Sequence, residues 1–301
     1  MLPVFLTSLN TKGGMDWAFT NPFGQFIQPT TIEEAEYVFV VLMHTHEWEM
    51  NEDHKAQILA SQKPIIVFDF WELGWSRPQV GVLPFMLDFS AQIKAYFKRE
   101  FYATDKAPFP FYPIDFYNFL EWPTVDSAEQ FADRPIDILM VWGYSHPLRP
   151  QVHGAIFSAC ATYGWNFITN PAHMEHEKPP YAVLLHQPWY DRRPMDSLLE
   201  LQSKAKITIS LPGAGAKCFR HNEIVNSIMA KVADKLVWQA GWDETNCIEV
   251  VGQAENWPPS LKRELSNPEA LYQKYLKGVE VNKSLKPERV WNEYLLPKIA
   301  A

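Results

Sequence analysis

Between Lys206 and Val225 the chain reads KITISLPGAGAKCFRHNEIV, an apolar run followed by two glycines, two cations and a carboxylate. The run suits a buried strand, Pro212–Ala216 a tight turn, and Lys217–Val232 a helix by its periodicity. Backbone N–H groups left free at a helix start, together with the helix dipole, favour a phosphate. Gly213 and Gly215 would let that phosphate approach the main chain closely. Lys217, Arg220 and Glu223 follow at i, i+3 and i+6, which at roughly 100° per residue places them within about a 120° arc. Two cations there would neutralise a diphosphate, and the Glu223 carboxylate would accept both ribose hydroxyls. The plainer reading makes Arg220 and Glu223 a surface pair and the glycines a turn. The stretch is neither a Walker loop nor a complete dinucleotide fingerprint, because Cys218 stands where the third glycine belongs.

Groups able to move protons cluster after other apolar runs. His44, His46 and Glu47 follow Tyr37–Met43, while Asp69 and Glu72 follow Pro64–Phe68. A carboxylate flanked by Phe68, Phe70 and Trp71 would be partly desolvated, which raises its pKa toward the range of a general base. Asp69 is the first candidate for that role and His46 the second; a cap or a buried polar contact is the plainer reading of each. Ser145, with Tyr144, ends the run Ile136–Trp142, and Arg149 and His153 follow on the next helix. His44, His46, Glu47 and His54 form one loose metal-ligand set and His173, His176 and Glu177 another. Neither has a recognised spacing such as HExxH, so no metal site is expected.

These residues need elements to hold them. Short β-branched or aromatic runs alternate with longer amphipathic stretches, the pattern of a mostly parallel sheet. The first half predicts strands at Val4–Leu9, Tyr37–Met43, Pro64–Phe70 and Phe97–Phe101, with helices at Asn51–Ser61 and Gly81–Tyr96. Prolines 108, 110, 113 and 123 then favour an extended crossover over long regular elements. The second half predicts strands at Ile136–Trp142, Trp165–Thr169, Tyr181–His186, Lys206–Leu211, Leu236–Gln239 and Cys247–Val251. Helices are expected from Pro150 to about Tyr163, at Asp196–Lys204, and as closing elements at Leu261–Gly278 and Glu288–Ile299. The reading is α/β: two Rossmann-like doubly wound domains, 1–132 and 133–301.

Composition limits the partners. The 301 residues carry 27 Lys and Arg against 35 Asp and Glu, a net charge of −8, which removes the usual footprint of a nucleic-acid or membrane-surface protein. Three scattered cysteines argue against a disulfide framework and fit a reducing compartment. The run Tyr37–Met43 is too short to span a bilayer and the N-terminus lacks a basic leader region, so a cytoplasmic protein with no membrane-spanning segment is expected.

The segment KITISLPGAGAKCFRHNEIV resembles the donor-binding strand-turn-helix of GT-B glycosyltransferases, particularly exostosin-like and related nucleotide-sugar-dependent families. The tail resembles theirs too, with Asn246-Cys247-Ile248, the stretch LSNPEALYQKY, and a last helix carrying Tyr294 and Pro297. The resemblance covers 136–299, and 1–132 in outline. It implies a GT-B architecture whose C-terminal helices cross back to the first domain, Glu223 on the donor ribose, and Arg220 or Lys217 on the phosphates. It further implies transfer of a sugar from a nucleotide-diphosphate sugar, a UDP-sugar first among them, to a hydroxyl acceptor, the donor held by the second domain. The second glutamate of the E-x7-E pattern is missing, since Lys231 stands eight residues after Glu223, and no DxD occurs. Both departures favour metal-independent displacement with inversion, without a cofactor beyond the donor. The acceptor is a small molecule or glycan, or a hydroxymethylated pyrimidine of phage-type DNA. For DNA, Arg77, Lys94, Lys98, Arg99 and Lys106 would have to form a basic rim. A non-catalytic nucleotide-sugar binder and a nucleotide-sugar epimerase are the alternatives from other classes.

Overall fold

The runs YVFVVL and IIVFD lie side by side in the middle of a six-stranded parallel sheet. In the computed structural model this sheet comprises β1 (Leu2–Thr7), β2 (Ile27–Pro29), β3 (Tyr37–Leu42), β4 (Ile65–Asp69), β5 (Ile93–Lys98) and β6 (Phe111–Pro113), in the order β2-β1-β3-β4-β5-β6. The structure describes residues 1–10, 17–42, 50–70, 84–115, 117, 120, 123–141, 146–169, 195–212, 223–233 and 237–301.

Strands covered on both faces lose the polar alternation of half-exposed ones, and β3 and β4 are apolar almost throughout for that reason. One face sends Val4, Phe39, Val41, Phe68 and Phe97 against α1 (Trp17–Phe23) and the closing helical run Pro287–Ala300, through Val290, Trp291, Leu295 and Ile299. The other sends Val38, Val40, Val67 and Tyr96 against Ile58 of α2 (Glu52–Ser61) and against Met86 and Phe89.

The helix expected over Gly81–Tyr96 is not formed. Pro84–Phe89 is a short 3-10 element and Ile93–Lys98 is a strand, parallel to β4 and β6 on its two sides. Its spacing of apolar residues fits either period, and pairing on both edges decides in favour of the strand. The sheet therefore takes Phe97 and Lys98 into β5 and releases the chain at Arg99.

The second sheet contains β7 (Ile136–Met140), β8 (Phe167–Thr169), β9 (Ala205–Ser210), β10 (Ile228–Val232) and β11 (Ile248–Val250), all parallel, in the order β11-β10-β9-β7-β8. Helices α3 (Ala128–Ala132), α4 (Leu148–Tyr163) and α5 (Met195–Ser203) precede or link the strands. Pro150 lies in the first turn of α4, and Gly164 ends that helix at φ 69°, a left-handed angle that suits glycine. Trp257–Leu265 and Pro268–Ser284 are separate helices, broken at Asn267-Pro268, where one helix was expected. Trp257, Leu261, Leu271 and Tyr275 fill the core over Met140, Ile207, Ile209 and Ala230.

Two further expectations are corrected. The helix predicted to reach Val232 is replaced at its end by β10, whose Ile228, Met229 and Ala230 are buried between β9 and β11. The strand predicted at Leu236–Gln239 does not form over its described part. There Val237 N–H donates to Phe101 O and Ala240 N–H donates to the Asp115 carboxylate at 2.9 Å.

That excursion matters for the domain division. The chain separates into one unit of Met1–Phe119, Lys235–Ala240 and Ser284–Ala301, and another of Leu120–Asp234 and Gly241–Lys283. The change falls ahead of the expected 132/133 boundary, because Phe131 and Val125 pack with the second sheet.

Candidate functional site

Both sheets share one winding, and it creates one opening in each. In the second sheet the chain starts at β7, steps to β8 on one side, and then crosses to β9 on the other. Sheets of this order bind ligands beyond the C-terminal ends of the two strands that flank the change of direction. In the second unit those strands are β7 and β9, and β9 runs through Leu211 and Pro212 directly into Gly213.

Arg149, on the first turn of α4, works across this opening. Its Nε donates to Pro212 O at 2.9 Å and its Nη2 to Leu211 O at 3.1 Å, with the residue 7% exposed. A guanidinium that follows β7 thus fixes the two carbonyls just after β9, those of Leu211 and Pro212. Next to it, Leu148 N–H donates to His146 Nδ1 at 3.1 Å, and burial, with a smaller contribution from Arg149, holds the His146 pKa below its ordinary value. Burial alone lowers His153. The neighbourhood therefore carries a fixed cation beside imidazoles that favour the neutral form. Sequence reasoning named Arg149 only as a further candidate; its hold on β9 has no sequence signature.

The main chain of Glu223 is held ahead of β9. Its carbonyl accepts a hydrogen bond from Gln202 Nε2 at 2.9 Å, and Gln202 Oε1 accepts Val225 N–H, just ahead of β9. Nearby, Arg134 Nη1 donates to Ala205 O and Asn226 O, at the first residue of β9 and just before β10. Glu223 is thus at the N-terminal edge of the sheet, a strand's length from Pro212. The ribose role expected of Glu223 belongs to the C-terminal edge, and a strand of five or six residues spans roughly 17–20 Å. Gly213, Gly215, Lys217, Arg220 and Ser145 lie outside the described residues, as does His46.

Asp69 ends β4, yet it is 1% exposed and accepts the Tyr96 phenol proton at 2.6 Å. Its register partner on β5 is Lys98, which pairs with the buried Asp105 at 3.5 Å. A carboxylate enclosed this way fits the plainer of the two expected readings, a buried polar contact. The expected basic rim fares similarly. Lys98 and Arg99 are buried, the latter within 3.6 Å of Glu100, so neither is offered to a DNA backbone.

In the first unit, the chain moves from β1 to β2 on one side and to β3 on the other, so the opening lies beyond Thr7 and Leu42. Thr7 Oγ1 accepts Leu9 N–H at 3.1 Å and lies 3.1 Å from His54 Nδ1. Leu9, fully buried, has φ 56°, in the left-handed region that costs a β- or γ-branched residue about 1–2 kcal/mol. Leu9 O accepts Asn51 N–H, and the Asn51 side chain accepts His54 N–H at 3.0 Å, capping α2. His54 entered the sequence reading only as part of a loose metal-ligand set; the cap residue Asn51 three positions earlier was the available signal for its place on a first turn. Among the described residues no group of three His, Cys, Asp or Glu is placed to hold a metal, and no helix is long and apolar enough to cross a membrane.

No protein-family model and no curated protein matches the chain. Solved structures do. The GtfA/B complex matches at TM-score 0.57 and 11% identity, over 88% of this chain and 58% of that one, so the chain spans a little over half its length. Trehalose-6-phosphate from E. coli bound with UDP-2-fluoro glucose matches at TM-score 0.56 and 9% identity, over 93% and 75%. HepE from Anabaena in complex with UDP matches at TM-score 0.56 and 6% identity, over 100% of both chains. At these identities the likeness is one of fold: two parallel α/β units in the GT-B arrangement of glycosyltransferases.

Proposed function

We propose that the protein is a glycosyltransferase that takes a sugar from a nucleotide-diphosphate sugar, a UDP-sugar first among them, and passes it to a hydroxyl acceptor without a metal. The observation that carries this reading is the hold of Arg149 on Leu211 O and Pro212 O, at the change of direction in the second sheet and immediately before Gly213 in the sequence. Fixed dipoles and cations at that place suit a diphosphate as it departs with its growing charge. Gly213 and Gly215 admit the diphosphate, Lys217 and Arg220 supply charge, and Ser145 adds a hydroxyl donor. Support comes from the fold and from two structures that share it, one with bound UDP-2-fluoro glucose and one with UDP.

The acceptor is a glycan or small polyhydroxy molecule in this proposal. Burial of Lys98 and Arg99 weighs against modified DNA.

The test is a thermal-shift screen of nucleoside mono- and diphosphates and nucleotide sugars. A ligand held at 100 times its Kd stabilises by roughly 2.7 kcal/mol, enough for a clear shift. Selective stabilisation by a uridine diphosphate or UDP-sugar is the expected result, and the absence of any shift with the whole panel at millimolar concentration would sink the reading.

A further inference from the structure

The opening of the first unit carries a group that the donor site does not explain. At the end of β1, Thr7, Leu9, Asn51 and His54 are tied together by four hydrogen bonds, from Leu9 N–H to Thr7 Oγ1, between Thr7 and His54 Nδ1, from Asn51 N–H to Leu9 O, and from His54 N–H to Asn51 Oδ1. The left-handed angle at Leu9 turns its N–H back onto Thr7, which fixes the hydroxyl that meets the imidazole. Phe5 packs edge-on against the ring at a centroid distance of 5.7 Å. One ring nitrogen is therefore held, and the ring plane is set by an aromatic neighbour.

Among the described residues the other nitrogen, Nε2, has no hydrogen-bond partner. The residue is half-buried. The ring sits on the first turn of α2, the helix that follows β3, and so at the C-terminal edge of the sheet, beside β1. That is where the winding of the first sheet places a ligand. An imidazole oriented through one nitrogen, at the edge where such a sheet binds its ligand, is the arrangement a general base needs.

We infer that His54 is the general base for the acceptor hydroxyl, with Nδ1–H donating to Thr7 Oγ1 and Nε2 facing the acceptor. This rests on the glycosyl-transfer reading and deepens it. The acceptor O–H proton passes to His54 Nε2 as its oxygen forms a bond to the sugar C1. The bond from C1 to the donor diphosphate breaks, and the diphosphate leaves with the electron pair. The imidazolium keeps its Nδ1–H on Thr7 and returns the Nε2 proton to water. Thr7 is a positioning residue in this scheme: it selects the tautomer.

The experiment is a nitrogen-15 NMR spectrum of the histidine rings of the full chain at pH 8, with His54 assigned by comparison with His54→Gln. The expected result is a bare Nε2 and a protonated Nδ1 in the wild type. Thr7→Val, near in shape, should move the population toward Nε2–H. A wild-type ring with Nε2 protonated overturns the assignment, as does a tautomer unchanged by Thr7→Val. A second arm follows UDP release from whichever UDP-sugar the screen selects. His54→Gln should cut turnover at least a hundredfold while the nucleotide-induced thermal shift stays as in wild type; retained turnover overturns the inference. Loss of the thermal shift in the wild type would instead remove the donor reading, so the two failures are distinct.

Discussion

Arg149 donates its Nε–H to Pro212 O at 2.9 Å, so a residue that follows the first strand of the second sheet holds the chain leaving the third. A buried guanidinium used in this way serves two ends. It satisfies the carbonyls of Leu211 and Pro212, and it holds the chain just after β9, immediately before Gly213 in the sequence.

Arg149→Met should remove that hold. Loss of the donor leaves two carbonyls without their partner, at about 1–3 kcal/mol, within a local region. UDP affinity measured by calorimetry should fall at least tenfold, with the denaturation midpoint only slightly lowered. Arg149→Lys, which cannot span both carbonyls with one planar fork, should recover only part of the affinity.

Glu223→Ala should leave UDP affinity within about twofold of wild type, because its main chain is tied to Gln202 ahead of β9, away from the donor opening. Lys217→Ala and Arg220→Ala should each weaken binding roughly tenfold, or about 1.4 kcal/mol. Calorimetric titrations of the three variants at equal ionic strength separate these outcomes.

Asp69→Asn should behave as a stability variant. Its carboxylate receives the Tyr96 phenol at 2.6 Å inside the first unit. Tyr96→Phe leaves that buried acceptor short of a donor and should cost about 1–3 kcal/mol. Urea unfolding should show both losses, while the kcat of protein that remains folded stays near wild type.

Cys247 should resist alkylation at pH 8 until the protein unfolds. Burial, above all, lifts its thiol from 9.0 to about 12, so the neutral form dominates. A raised thiol pKa means the folded state holds its proton more tightly. The corresponding stability is therefore complete below pH 9 and lost as the pH rises toward 12. Iodoacetamide labelling followed by peptide mass spectrometry, with Cys160 as the half-buried reference, measures the difference.

The parts of the fold legible in the sequence are those where one signal dominates. Tyr37–Leu42 and Ile65–Phe68 are continuous apolar runs, Ala205–Ser210 alternates apolar residues with Lys206, Thr208 and Ser210, and each lies in a largely buried strand. The place of the glycine corner after β9 follows from the same run. Ile93–Lys98 and Ile228–Val232 were not legible, because their apolar spacing suits a helix and only pairing with two neighbours makes them strands. The same spacing shortens the helix expected to reach Val232, since Glu223 is helical and the chain enters β10 at Ile228. Asp69 shows a different limit. A carboxylate after an aromatic run reads equally as a base or as a buried acceptor, and Tyr96, distant in sequence, decides between them.

Hydrogen–deuterium exchange with and without saturating UDP tests the donor site most directly. Peptides covering Leu211–Arg220 and the first turn of α4 around Arg149 should exchange more slowly with UDP bound, while those around Glu223 and Gln202 keep their rates. UDP that binds yet leaves the amides of the glycine corner exchanging as before would place the nucleotide elsewhere and contradict the assignment.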